Sequence, residues 1–293
     1  RDSSGSAVSI GKTGNITVKL PDGTDLDAKH QVTVIVTDHK KAPQQGKNVT
    51  VKGDLGQSAA GKTDKNGELT VPEVEQTERH GVYIVGYTDG TFGPSRSMTR
   101  SEAAAIFARL LAEKNGDTIS TAANTKFADI PAHAWYSGYV KYLSNNGITY
   151  GKSKTIFAPN DAITRAEFTT MAVRFFDVYG DGDAEIMEQF SGFSDVSSGY
   201  WAAEYIKYAA LHGWINGYGD GSFHAEREIN RAEVVTIVNR LLGREADEDY
   251  IADNLRKLNT FPDVSRKHWA YYAVMEAANA HTAVLGESES WSK

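Results

Sequence analysis

Apolar positions along the chain follow two different rhythms. Over the first ~78 residues they come in short, β-branched, partly alternating runs: NITVKL at 15–20, QVTVIVTD at 31–38, NVTVKG at 48–53 and GELTVP at 67–72. Gly, Asp, Asn and Pro separate them, which predicts a small all-β sandwich over 1–78. Asn66-Gly67 ahead of the last run is a hairpin signal. From about Gly81 the spacing becomes helical. Ala202, Ile206, Ala209 and Ala210 fall at i, i+4, i+7 and i+8. A second helical face recurs as Ala103, Phe107, Leu110 and Leu111, as Phe168, Ala172, Phe175 and Phe176, and as Val234, Val238, Leu241 and Leu242. Three helices with apolar residues at equivalent positions are expected to share a core.

That recurrence is one part of an internal repeat. MTRSEA (98–103), ITRAEF (163–168) and INRAEV (229–234) place Arg100, Arg165 and Arg231 at steps of 65 and 66 residues. Phe127, Phe193 and Phe261 open FADI, FSDV and FPDV, and Trp135, Trp201 and Trp269 follow eight residues later. Gly86, Gly151 and Gly217 keep the same step. Several anchors advancing together identify a repeat architecture.

Each tetrapeptide reads as a capping box, in which an N-cap side chain takes the N3 amide and the N3 carboxylate reaches back. The pairs are Thr99 with Glu102, Thr164 with Glu167, and Asn230 with Glu233. Capping does not explain the arginine, since a helix N-terminus favours anions. Two partners fit equally well. One is the internal carboxylate of Asp129, Asp195 or Asp263 in the F-x-D segment. The other is a ligand anion held by the guanidinium and free helix-end amides.

Composition narrows the function. The 293 residues suffice for two or three domains, and no apolar run approaches the ~20 residues that cross a bilayer. The chain opens on Arg1, as a processed or trimmed chain does, so an export signal would be out of view. Without cysteine there is neither a disulfide nor a thiolate metal site. The first 80 residues carry 11 charges of each sign, so the whole net charge of −7 lies beyond them. That disfavours nucleic acid, which needs a broad basic surface, and makes any recognition of an anion local. Asp177, Asp181, Asp183 and Glu188 resemble a calcium loop, but Tyr179 stands at a ligand position, and an acidic linker is the plainer reading. The eight histidines lack metal spacing, and no nucleophile–base or phosphate-loop signature occurs, so neither an enzyme nor a cofactor is expected. The regular tryptophans suit either the core or sugar stacking, and core is the commoner use.

Taken in order, F-x-D-V, Trp-Ala, Gly-Tyr-x-Asp-Gly-x-Phe and Thr-Arg-Ala-Glu resemble the S-layer homology domain, most fully across 193–233. The strand-rich start resembles bacterial immunoglobulin-like or prealbumin-like modules. The first resemblance implies a mainly α, pseudo-threefold unit over 79–293, with grooves between repeats. A surface protein would be anchored through them, outside the cell, to the wall of a Gram-positive-type bacterium. The implied ligand is secondary cell-wall polysaccharide, often carrying a pyruvate ketal. Its carboxylate would meet Arg100, Arg165 and Arg231. The groove candidates are Asp129, Asp195, Asp263, the three tryptophans, Gly86, Gly217, Asp89 and Asp220. The middle loop departs from the pattern, with Lys152 and Lys154 and no Asp-Gly turn. So does the phase: a back half (81–113), whole repeats (127–180 and 193–244) and a front half (261–285), the halves expected to dock and close a ring. The competing reading is a structural S-layer or adhesin fragment acting mainly through protein–protein contacts.

Overall fold

In a computed structural model the chain forms two compact units, Arg1–Arg79 with Thr282–Lys293, and His80–His281. The structure describes residues 7–10, 16–19, 33–38, 42–52, 58–70, 76–179, 190–285 and 289–292.

The first unit is built of strands. β1 (Ala7–Ile10), β2 (Ile16–Lys19), β4 (Asn48–Lys52) and β5 (Ser58–Lys62) form one sheet in the order β1-β2-β4-β5. Its β2–β4 pair is parallel and the others antiparallel. β3 (Thr33–Ile35) pairs with β6 (Glu68–Thr70). β7 (Gln76–His80), β8 (His281–Leu285) and β9 (Ser290–Ser292) form a third sheet. Alternation sets the inward face of β4: Val49 and Val51 are buried and Thr50 is half-exposed.

Each of the four runs read from the sequence contains a strand, but the expected Asn66-Gly67 hairpin does not form. The turn joins β5 to β6, which pair in different sheets. Gly67 is required there for two reasons. Its φ is +70°, and a Cβ would come within 2.4 Å of the Val36 carbonyl oxygen. The end of the chain also departs from expectation. Residues 281–285 belong to a strand rather than to the closing half-repeat, and from Thr282 onward the chain groups with the first unit.

The second unit carries three long helices that begin at the motif arginines: α1 (Arg100–Asn115), α3 (Arg165–Tyr179) and α5 (Arg231–Leu242). Short helices follow the tryptophans: α2 (Ser137–Asn145), α4 (Ala203–Leu211) and α7 (Tyr271–Ala278), with α6 (Glu248–Asn254) before the last. α2 packs on α1, α4 on α3 and α7 on α5, while α3 touches both other long helices. The predicted faces meet in the core, where the Phe107 ring lies 5.3 Å from Phe168 and 4.9 Å from Phe175. Phe176 and Leu242, predicted on those faces, are only half-buried, and Phe176 packs instead on Trp214.

The three repeats meet through a closed cycle of backbone hydrogen bonds. The Met98 amide donates to the Ile229 carbonyl, Ile229 to Ile163, and Ile163 to Met98, at 2.9–3.0 Å. All three side chains are fully buried. The first amides of each long helix continue the pattern. Arg100 and Ser101 donate to Asp161 and Pro159, Arg165 and Ala166 to Arg227 and Ala225, and Arg231 and Ala232 to Arg96 and Pro94. The amides expected to be free for an anion are therefore used in joining one repeat to the next. This corrects the helix-end site drawn from the sequence.

Candidate functional site

The capping boxes form as expected, with bonds in both directions at Thr99/Glu102, Thr164/Glu167 and Asn230/Glu233. In each glutamate Oε2 makes the cap, and in two of them Oε1 meets a motif arginine of another repeat. Arg100 Nη1 lies 3.0 Å from Glu167 Oε1, and Arg165 Nη1 lies 3.1 Å from Glu233 Oε1. Each arginine also donates Nε–H to a loop carbonyl: Arg100 to Phe157, Arg165 to Phe223 and Arg231 to Phe92, at 2.8–2.9 Å. The same phenylalanine rings lie under the guanidinium groups at 4.5–5.0 Å. Arg100, Arg165 and Arg231 are 4%, 5% and 4% exposed. Burial pulls the pKa of Arg165 and of Arg231 below the usual arginine value, with Glu233 opposing it at Arg165. Both remain cations.

The F-x-D carboxylates are not the arginines' partners. Asp129 accepts from the amides of Phe157 and Ala158, Asp195 from Phe223 and His224, and Asp263 from Phe92 and Gly93, the bond from the second amide being 2.7 Å each time. The second amide belongs to a residue in the left-handed region: Gly93 at φ 68°, Ala158 at 59° and His224 at 56°. For Ala158 and His224 that conformation is unfavourable, and the carboxylate holds it in place. The preceding Phe packs on the loop Phe, with ring centroids 5.2–5.4 Å apart in all three copies. A Cβ on Gly86, Gly151 or Gly217 would come within 2.5 Å of that ring. In the first copy the Phe is Phe261, so residues 261–263 dock on the loop 86–93.

Asp89 and Asp220 brace the loop turns. Each accepts from the hydroxyl and amide two residues on, those of Thr91 and Ser222. In the middle loop the Ser153 hydroxyl accepts from Thr155 and Ile156 instead, so a turn forms without Asp-Gly. Asp89, Asp195 and Asp220 are held below the usual aspartate range. At Asp195 partial burial pushes upward, and the two amides overcome it. At Asp89 and Asp220 the hydroxyl contributes most. A carboxylate whose folded pKa is depressed adds stability above its unfolded pKa of about 4, lost as pH falls through the folded value. The melting temperature is therefore expected to fall between about pH 5 and pH 3, and Asp195→Asn to flatten that fall. Superimposable pH profiles for the two proteins would contradict the assignment.

Two clefts of matching make-up lie in the helical unit, of about 250 and 220 Å³. One is lined by Arg165, Tyr218, Glu233, Arg240 and Trp269, the other by Arg231, Tyr87, Glu102, Arg109 and Trp135. Gly217 and Gly86 sit at equivalent points in them. The tryptophans are not core residues. Trp135, Trp201 and Trp269 are 54%, 55% and 64% exposed. Asp195 borders a different recess with Tyr200 and Glu226, so it does not line these clefts.

Arg109 and Arg240 were not singled out from the sequence. They stand nine residues after a motif arginine, as does Arg174, and that constant offset is the signal that could have found them. Arg109 and Arg240 are exposed, and Arg240 makes no ion pair among the described residues. At the third position Arg174 is occupied, donating to the Tyr205 hydroxyl and lying over the Tyr150 ring. Lys152 takes the place of Tyr87 and Tyr218 there and reaches Asp161 at 3.3 Å, while Lys154 is exposed. Of the calcium-loop residues, Asp177 is exposed, and Asp181, Asp183 and Glu188 lie outside the described residues.

The S-layer homology domain profile matches residues 70–104, 126–169 and 192–235. The chain is similar to cell surface glycoprotein 1 of Acetivibrio thermocellus, 34% identical over 218 residues, covering 72% of this chain and 9% of that protein. It is similar to the cellulosome-anchoring protein of the same organism, 30% identical over 233 residues, 79% of this chain and 49% of the other. The surface-layer 125 kDa protein of Lysinibacillus sphaericus is 32% identical over 163 residues, 54% and 13%. The chain thus spans about half or less of the length of these relatives. The profile falls on the capped helices and the loops that they hold, and across residues 70–235 the chain belongs to the S-layer homology domain family.

Proposed function

We propose that the helical unit anchors a surface protein non-covalently to the bacterial cell wall, outside the cell, by holding an anionic wall polysaccharide in its clefts. The polysaccharide is a secondary cell-wall polymer whose pyruvate ketal supplies the carboxylate. The anchoring part rests on the family and on relatives named for the cell surface and for anchoring. The ligand part rests on one observation made twice: an exposed tryptophan beside a cleft that holds a buried arginine, Arg165 or Arg231, and an exposed second one. A tryptophan face suits the apolar side of a sugar ring, and an unpaired guanidinium suits a carboxylate. Arg240 and Arg109 then hold the ligand, while Arg165 and Arg231 form the cleft floor. Recognition is local, so a net-acidic chain is no obstacle. In this reading the front half from Phe261 completes a third unit with the back half that ends in α1, and the three surround a pseudo-threefold axis.

Pull-down with purified wall polysaccharide tests the reading. A charge-assisted bond contributes about 1.5–3 kcal/mol. Arg240→Ala combined with Arg109→Ala, or chemical removal of pyruvate, should therefore weaken retention at least about tenfold. Retention indifferent to both would favour a scaffold that acts mainly through protein–protein contacts.

A further inference from the structure

The first and last residues of the helical unit, His80 and His281, meet inside it beside Glu276 of α7. These three side chains take no part in the clefts. They are 3%, 7% and 1% exposed respectively. Burying two imidazoles and a carboxylate together is unfavourable unless a cation or a full set of hydrogen bonds compensates.

The geometry specifies the orientation of one ring. His281 Nδ1 lies 3.0 Å from the Asn279 carbonyl oxygen. A carbonyl can only accept, so Nδ1 carries the proton and the neutral ring turns the lone pair of Nε2 the other way. That lone pair faces His80 Nδ1 at 3.2 Å and Glu276 Oε2 at 3.3 Å, and Glu276 Oε1 lies 3.5 Å from His80 Nδ1. Donor atoms of the three residues thus converge on one point, and all lie within 4.8 Å of one another. The separations are informative. Tetrahedral coordination at about 2.0–2.2 Å places neighbouring donor atoms about 3.3–3.5 Å apart. The His80 Nδ1–His281 Nε2 separation of 3.2 Å is close to that edge length, and each carboxylate oxygen of Glu276 lies 3.3–3.5 Å from one of the two nitrogens. The carbonyl behind His281 is also the kind of outer partner that fixes the tautomer of a metal-binding histidine.

We propose that His80 Nδ1, His281 Nε2 and the Glu276 carboxylate form a binding site for a divalent transition-metal ion of the zinc class. Two nitrogens and one oxygen select such an ion over calcium or magnesium, which take oxygen ligands. A water or one further donor completes the shell. The ion clasps the beginning of the helical unit to its end, across 201 residues of chain. Its role is structural, since a metal bound only by the folded state stabilises that state by mass action.

The test uses the full chain, stripped with a chelator, dialysed and titrated with zinc chloride against a chromogenic competitor. The expected result is one zinc per chain and a melting temperature raised by at least about 3 °C. His281→Ala and Glu276→Gln should each lower zinc affinity at least about tenfold. Should either variant fail to fold by circular dichroism, cobalt in the unmodified chain supplies the readout, as tetrahedral sites give strong visible absorption. Zinc uptake that survives in a folded His80→Ala/His281→Ala chain would overturn the proposal. So would the absence of uptake, or of the cobalt band, in the unmodified chain, and the cluster would then hold only a shared proton.

Discussion

Arg100→Ala is expected to lower the stability of the helical unit by about 3–5 kcal/mol, the range seen when one member of a buried ion pair is removed. The arginine is 4% exposed, and its loss takes the Nε–H donor from the Phe157 carbonyl and the counter-charge from Glu167. Arg165→Ala should cost less, because Glu233 keeps Arg227 and the Tyr218 hydroxyl as partners. Arg100→Lys should recover little, since one ammonium cannot reproduce the guanidinium fork. Arg240→Ala, at an exposed position, should stay within about 0.5 kcal/mol of the parent. Urea unfolding of the four variants gives the ranking. Equal midpoints for Arg100→Ala and the parent would mean that the motif arginine does not support the fold.

The second large effect concerns closure. Asp263→Ala removes the acceptor for the amides of Phe92 and Gly93, 171 and 170 residues away in sequence. Two bonds to a charged acceptor, at about 1.5–3 kcal/mol each, put the loss at roughly 3–5 kcal/mol. Asp129→Ala and Asp195→Ala delete the same pair of bonds inside continuous repeats, so each neighbouring segment stays tethered nearby. Losing Asp263 frees a seam between the two ends of the unit. Hydrogen exchange should therefore accelerate together in residues 83–99 and 261–279, with 127–179 little changed. Acceleration confined to 261–279, or spread evenly, would show that this contact does not close the ring.

Much of this architecture is written in the local pattern, because caps, turns and apolar faces depend on neighbours in sequence. Thr99 and Glu102 announce a helix start whatever surrounds them. Partners across repeats are not written that way. Glu167 is fully accounted for by its cap through Oε2, which leaves no sequence cue that Oε1 meets Arg100 of another helix. The aspartates of the F-x-D segments look like suitable partners for arginine. Their task is instead to hold Ala158 and His224 in the left-handed conformation, and no propensity predicts that. The tryptophans illustrate the converse. A large aromatic at a fixed period suggests a core, yet Trp135 and Trp269 stand exposed beside clefts. In the first unit, β5 is built from Ser-Ala-Ala-Gly-Lys, poor strand formers, and forms because β4 offers an edge along five residue pairs. His80 and His281 lie too far apart in sequence for any spacing rule to join them.

On the proposed function, the carboxylate of a pyruvylated glycan would sit at the exposed arginine of a cleft. A crystal of the full chain soaked with a pyruvylated N-acetylmannosamine measures this directly. The carboxylate should lie within about 3 Å of the Arg240 or Arg109 guanidinium, with the sugar ring against Trp269 or Trp135. A carboxylate bound at the helix N-termini, or a ligand seated away from both clefts, would contradict it.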